Sequence, residues 1–166
     1  MHRFTKAALG AALVSAGALV PASAQAASAT ANAKANILKP VTVSKSTDLD
    51  FGNVLTSPAA GTAVMTQAGA RSCTGGATCV NGGTPGAGTF SVTGTINQTV
   101  AISLPSATVS LTSGTNSMSV ALSAPTTLGL GATGTASFGV GGTLTVGLNQ
   151  ADGAYTGTFS VNVDYQ

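Results

Sequence analysis

Tyr155-Thr156-Gly157-Thr158-Phe159-Ser160-Val161-Asn162-Val163-Asp164-Tyr165-Gln166 is the stretch that decides the fold class. Its large apolar residues fall on every second position. Successive side chains of a strand point to opposite faces, so an extended chain puts Phe159, Val161, Val163 and Tyr165 on one core-facing side. Thr158, Ser160, Asn162 and Asp164 then face the other side. A helix of 3.6 residues per turn would scatter the same residues around its circumference.

Working outward, the same signature recurs through the chain. Segments rich in Val, Thr, Ile and Phe alternate with Gly, Ser, Asn and Pro, as half-buried strands separated by turns do. The candidate strands are Ile37–Lys45, Leu49–Leu55, Thr62–Gln67, Thr89–Thr95, Val100–Leu104, Ala107–Leu111, Ser117–Ser123, Ala136–Val140, Thr143–Leu148 and Tyr155–Tyr165. Pro40, which has no N–H to donate, marks the first as an edge or a bulge. Gly-Gly in Val140-Gly141-Gly142-Thr143 predicts a tight hairpin turn. The density of Gly and β-branched residues leaves no helical stripe, and no repeat of fixed period suggests a solenoid. About 8–10 short strands at this spacing predict an all-β sandwich, with a barrel as the alternative.

The chemistry-bearing side chains are few. The sole histidine is His2, and there is no Glu and no Trp. Beyond residue 24 the charged groups are Asp48, Asp50, Asp152, Asp164, Lys34, Lys39, Lys45 and Arg71. Acid–base catalysis, nucleophile activation and most metal sites draw on His, Glu or clustered Cys. The expectation is therefore a non-catalytic protein with no cofactor. Asp48 and Asp50 share one side of an extended stretch, but with no further carboxylate nearby they read as solvated charges rather than calcium ligands. Asn81–Gly88 is Gly-rich, yet no Lys at P-loop spacing and no helix follows, so it reads as a loop. The +2 net charge comes from Arg3 and Lys6, since the remaining basic residues balance the aspartates. With no basic patch, a nucleic-acid partner is not expected.

Residues 1–24 read as a secretory signal peptide. Arg3 and Lys6 precede an apolar run from Ala7 to Val20, and Ala22-Ser23-Ala24 supplies a small-residue cleavage site. The run is shorter than the roughly 20 residues that span a bilayer, so no stable membrane span is expected. The destination is the periplasm, the cell surface or the medium. In an oxidising compartment Cys73 and Cys79, the only cysteines, are expected to pair. Their C-x5-C spacing is not that of a redox motif, and Gly75-Gly76 lets the chain turn between them. Closing so small a loop contributes about 2 kcal/mol in the chain-entropy model.

Residues 25–36 form a small-residue extension ahead of a domain spanning residues 37–166. In this extension and just beyond it, Ala27, Ala29, Ala31, Ala33, Ala35 and Ile37 alternate with polar residues. An extended chain would carry all six on one narrow apolar edge. That edge suits strand addition into a groove of another molecule, whereas a simple flexible spacer would be equally rich in small residues.

Asp48-Leu49-Asp50-Phe51-Gly52, Gly88-Thr89-Phe90-Ser91-Val92-Thr93-Gly94, Val140-Gly141-Gly142-Thr143-Leu144, Gly153-Ala154-Tyr155-Thr156-Gly157-Thr158-Phe159 and Val161-Asn162-Val163-Asp164-Tyr165 occur in that order. Together they resemble the bacterial secreted family catalogued as domain of unknown function 4402, from about Ile37 onward. The resemblance implies an immunoglobulin-like β-sandwich related to fimbrial subunits, and no catalytic residues. A looser similarity is to pilins, whose incomplete sandwiches are completed by a neighbour's N-terminal strand and whose last strand often has a penultimate aromatic, as Tyr165 is here. The short Cys73–Cys79 loop departs from the pilin bridge between distant strands. The expected role is a secreted structural or adhesion-type subunit that associates with itself or other surface subunits, with a periplasmic chaperone as a further partner. In that role the groove would be lined by Phe159, Val161 and Val163. The alternative is a monomeric secreted module that binds a glycan or a protein.

Overall fold

In the computed structural model, residues 25–166 are described, and the leader expected over residues 1–24 lies outside them. Residues Asn36–Gln166 make one compact unit. Among the described residues the chain is all-β, with strands β1 (Thr42–Thr47), β2 (Val54–Leu55), β3 (Gly61–Met65), β4 (Arg71–Gly75), β5 (Thr78–Cys79) and β6 (Gly88–Thr93). They continue as β7 (Thr99–Ser103), β8 (Thr108–Ser113), β9 (Asn116–Ser123), β10 (Thr127–Gly129), β11 (Thr135–Val146) and β12 (Asn162–Tyr165).

The long strand β11 organises the fold. Its first half, Thr135–Val140, pairs with β6, which pairs with the edge strand β1. Its second half pairs with β3 on one edge and β9 on the other, and these lead to β4 and β8. A three-stranded sheet of order β10-β7-β12 and a small β2-β5 ladder complete the architecture. All of these pairings are antiparallel.

The expected hairpin at Gly141-Gly142 is instead the middle of β11, so two expected strands are one. A Cβ at Gly139 would collide with the Gln67 carbonyl oxygen, and one at Gly141 with that of Met65. The glycines are needed because the chain after β3 crosses β11 at this point, not because the strand reverses. Two adjacent glycines report a backbone approach as readily as a turn.

Two hydrophobic clusters fill the molecule. In one, Phe90, Val92, Phe138 and Val140 from β6 and β11 meet Val100 and Ile102 of β7, with Leu130 fully buried. Phe90 stacks on Phe138 at 5.4 Å between ring centroids and takes the edge of Phe159 at 6.0 Å. This is sheet packed on sheet, the core of a sandwich. The other cluster joins Ala63, Met65, Val120, Leu144 and Val146 from β3, β9 and β11 to Phe51, Ala77 and Ala87. Leu122 packs against both.

Other differences from the sequence expectation have local causes. The expected strand over residues 37–45 begins only at Thr42, beyond Pro40, and all of β1 is exposed. Lys45 and the register shift between Lys45 and Thr47 interrupt that free edge. The expected strand Leu49–Leu55 reduces to Val54–Leu55 because Gly52 adopts φ +64° and breaks the extended run. The short strands β4, β5 and β10 were not expected, since Arg-Ser-Cys-Thr-Gly, Thr-Cys and Thr-Leu-Gly carry too little apolar alternation. The last strand keeps its alternation from Phe159 to Tyr165, but only Asn162–Tyr165 pairs with β7.

Candidate functional site

On one side of the molecule the sandwich is left partly open. β8, β9 and the second half of β11 present an apolar floor: Val109 and Leu111, Met118 and Val120, Leu144 and Val146. Register explains the row. Val109 sits opposite Val120, Val120 opposite Leu144, and Leu144 opposite Ala63. Strand alternation then turns Ser110, Ser119 and Thr145 outward, where all three are exposed. Over the floor lies a cavity of about 780 Å³, bounded by residues 48–56 on one wall and residues 150–157 with Phe159 on the other.

The first wall is fixed by polar contacts. Arg71, on β4, donates from Nη1 to the carbonyls of Phe51 (2.8 Å) and Asn53 (3.3 Å) and from Nη2 to that of Val80 (2.9 Å). The Asp50 carboxylate accepts from the Gly52 N–H at 2.7 Å and from the Thr84 hydroxyl at 3.3 Å. Asp48 pairs instead with Lys45 at 2.7 Å, on the exposed surface. The two aspartates are thus engaged separately. Among the described residues no group of three His, Cys, Asp or Glu is placed to hold a metal.

The second wall carries no strand over residues 147–161. The Tyr155 hydroxyl donates to the Ala151 carbonyl (2.9 Å) and accepts from Gln150 Nε2 (2.8 Å), which curls this segment on itself. Thr156 exchanges backbone hydrogen bonds with Thr112 of β8. Past it, residues 157–161 have no backbone hydrogen-bond partner among the described residues. A run of extended chain with free N–H and C=O groups therefore borders the apolar floor.

The residues singled out from the sequence fall as follows. Cys73 and Cys79 form a disulfide, with Cα atoms 5.5 Å apart. Ala27, Ala29, Ala31, Ala33 and Ala35 are exposed and belong to no strand, and Ile37 is 87% exposed. Phe159, Val161, Val163 and Tyr165 share one half-buried face, packed on the first cluster. Val161 and Val163 do not line the groove, contrary to expectation, because their side chains pack on the first cluster instead; Phe159 alone of the set reaches it. The floor of β8, β9 and β11 and the role of Arg71 were both missed. Alternation marks the floor residues as inward-facing but cannot show that nothing covers them.

Tyr165 has a further task. Its hydroxyl accepts from the Thr95 N–H (2.7 Å) and donates to the Lys39 carbonyl (2.6 Å), while the Lys39 N–H donates to Thr95 Oγ1 (2.7 Å). The penultimate aromatic fastens the start of the compact unit.

Neither the curated proteins nor the solved structures hold a match to the chain. One family model does match, over residues 41–165, which takes in every strand and both walls of the groove. The chain belongs to the family described as domain of unknown function DUF4402.

Proposed function

We propose that the chain is a secreted, non-catalytic structural subunit of a surface assembly, and that copies join by strand addition. The observation that carries this reading is the open apolar groove of about 780 Å³ beside an unpaired extended segment. Apolar side chains and free backbone groups along one slot are what an incoming strand satisfies together. The segment that fits is Ala27–Ile37 of a second copy, whose alanines and Ile37 share one edge and are exposed. Head-to-tail repetition of such a contact does not close on itself and gives a fibre. Near-neutral charge beyond residue 24 leaves little repulsion between copies.

The contact has enough to gain. Each new backbone hydrogen bond contributes about 0.5–1.5 kcal/mol net, and burying Ile37 contributes roughly 1.5–3 kcal/mol. The test is to purify the protein as its host processes it, with and without residues 25–36, and to compare size-exclusion profiles and negative-stain images. Multimers that vanish on deletion support strand addition; unchanged multimers refute it.

A monomeric binding module is the second reading. It draws on the aromatic side chains of Phe51, Tyr155 and Phe159, which line the same groove and suit a glycan or peptide. A stable monomer that retains residues 25–36 would favour it.

A further inference from the structure

We infer that the groove is redox-gated: the Cys73–Cys79 bridge and Arg71 act as paired tethers that hold its first wall in place. This rests on the strand-addition reading for its biological consequence, but not for its physics. Both tethers start from β4; Arg71 ends on the wall itself and the disulfide on the strand paired with it. Cys79 lies on β5 directly opposite Val54 of β2, so the disulfide ties the β2-β5 ladder to β4. Arg71, two residues before Cys73 and on the same face of β4, holds the carbonyls of Phe51 and Asn53 from one side and that of Val80 from the other.

The guanidinium is the positioning group. Its hydrogen bonds all go to wall or wall-adjacent carbonyls, and it makes no ion pair among the described residues. A Cβ on Gly52 would lie 2.7 Å from Arg71 Nη1, so the left-handed glycine is what lets the charge reach the Phe51 carbonyl. The wall is also anchored by Phe51, buried in the second cluster, and by the Asp50 carboxylate, but its own backbone pairing is slight. β2 is two residues long and pairs only with β5, itself two residues long. Apart from that ladder there are the Asp50–Gly86 bridge and the Val80 N–H to Asn53 carbonyl bond at 3.1 Å.

Gating follows from the chemistry of the bridge. A dithiol reductant attacks one sulfur, the Sγ–Sγ bond breaks, and Cys73 and Cys79 each become a thiol. The dithiol supplies both electrons and both protons and closes to its own cyclic disulfide. With one tether gone, Arg71 is the remaining side-chain link from β4 to the wall. The wall is therefore held by both tethers only where the bridge can form, outside a reducing cytosol, and a chain not yet exported would have a looser groove wall.

The experiment is amide hydrogen exchange by mass spectrometry on the purified protein, oxidised and after treatment with dithiothreitol. It is repeated for Arg71→Gln, Arg71→Lys and the double change Cys73→Ser/Cys79→Ser. Reduction is expected to speed exchange across residues 51–55 and 78–80 by up to roughly 30-fold, the chain-entropy value for so short a loop. The β6 and β11 peptides should stay within about twofold of wild type. Arg71→Gln should open the same residues, Arg71→Lys should restore part of the protection, and Arg71→Gln in the reduced state should leave the wall unprotected. Unchanged exchange at residues 51–55 after reduction would overturn the inference, as would acceleration spread evenly over all strands. Exchange is read on the wall itself, so it decides the matter even for a chain that never multimerises. The strand-addition reading fails on multimerisation alone.

Discussion

Placing an aspartate at Ala31, in the middle of the candidate donor segment, should abolish assembly, while the same charge one residue away at Asn32 should not. The two positions are adjacent in a fully exposed segment, so neither change disturbs the compact unit. If Ala27–Ile37 enters a groove as a strand, alternation sends residue 31 to the floor and residue 32 to solvent. The floor beneath it is Val109, Val120 and Leu144, and the lining as a whole contains Asp48, Asp50 and Asp152 but no lysine or arginine. Of the cations bonded to the lining, Arg71 is already occupied by three carbonyls and Lys45 by Asp48. A carboxylate driven into this slot is unpaired and faces like charges. Leaving a buried charge without its partner costs about 3–5 kcal/mol, which weakens association by more than about 100-fold. Analytical ultracentrifugation over a dilution series reads that change directly. The expected result is a monomer for Ala31→Asp at concentrations where wild type and Asn32→Asp are multimeric. Equal effects of the two substitutions would refute the alternation argument, and no effect of either would remove the segment from the interface.

Three further predictions concern the scaffold. Tyr165→Phe removes the hydroxyl shared by Lys39 and Thr95; a loss of about 2 kcal/mol is expected by urea unfolding, from two hydrogen bonds at roughly 1 kcal/mol each, and a change below about 0.5 kcal/mol would deny the clamp its role. Gly141→Val forces a side chain into the carbonyl of Met65, so the protein should lose cooperative unfolding or about 4 kcal/mol or more of stability; near-wild-type unfolding would show that the close approach of residues 65–67 to β11 is wrong. Leu130→Ala empties a fully buried position and should cost about 2–5 kcal/mol in the same assay, whereas a cost below 1 kcal/mol would place Leu130 outside the core.

Strand alternation was legible wherever one face is buried and the other is wet. Val100–Leu104, Ser117–Ser123 and Thr89–Thr95 match β7, β9 and β6 to within two residues at each end for that reason. It was misleading at Gly141-Gly142, where the glycines serve a close backbone approach, and silent at β4 and β5, which are set by pairing partners and a disulfide rather than by apolar pattern. The bridge itself was legible because the chain has only two cysteines, with two glycines between them. The groove did not, because inward-facing residues such as Val109 and Leu111 look the same in sequence whether or not a second layer covers them. Arg71 was passed over for a similar reason: its partners are backbone carbonyls, which every residue possesses and no motif records.

Strand addition requires that residues 27–37 of one copy occupy the groove of the next. The most direct test is a density map of the assembled protein by cryo-electron microscopy. The map should show an extended strand from a neighbouring copy over Val109, Val120 and Leu144, hydrogen-bonded along residues 157–161. Multimers in which that groove is empty, or is filled by the chain's own segment, would contradict it.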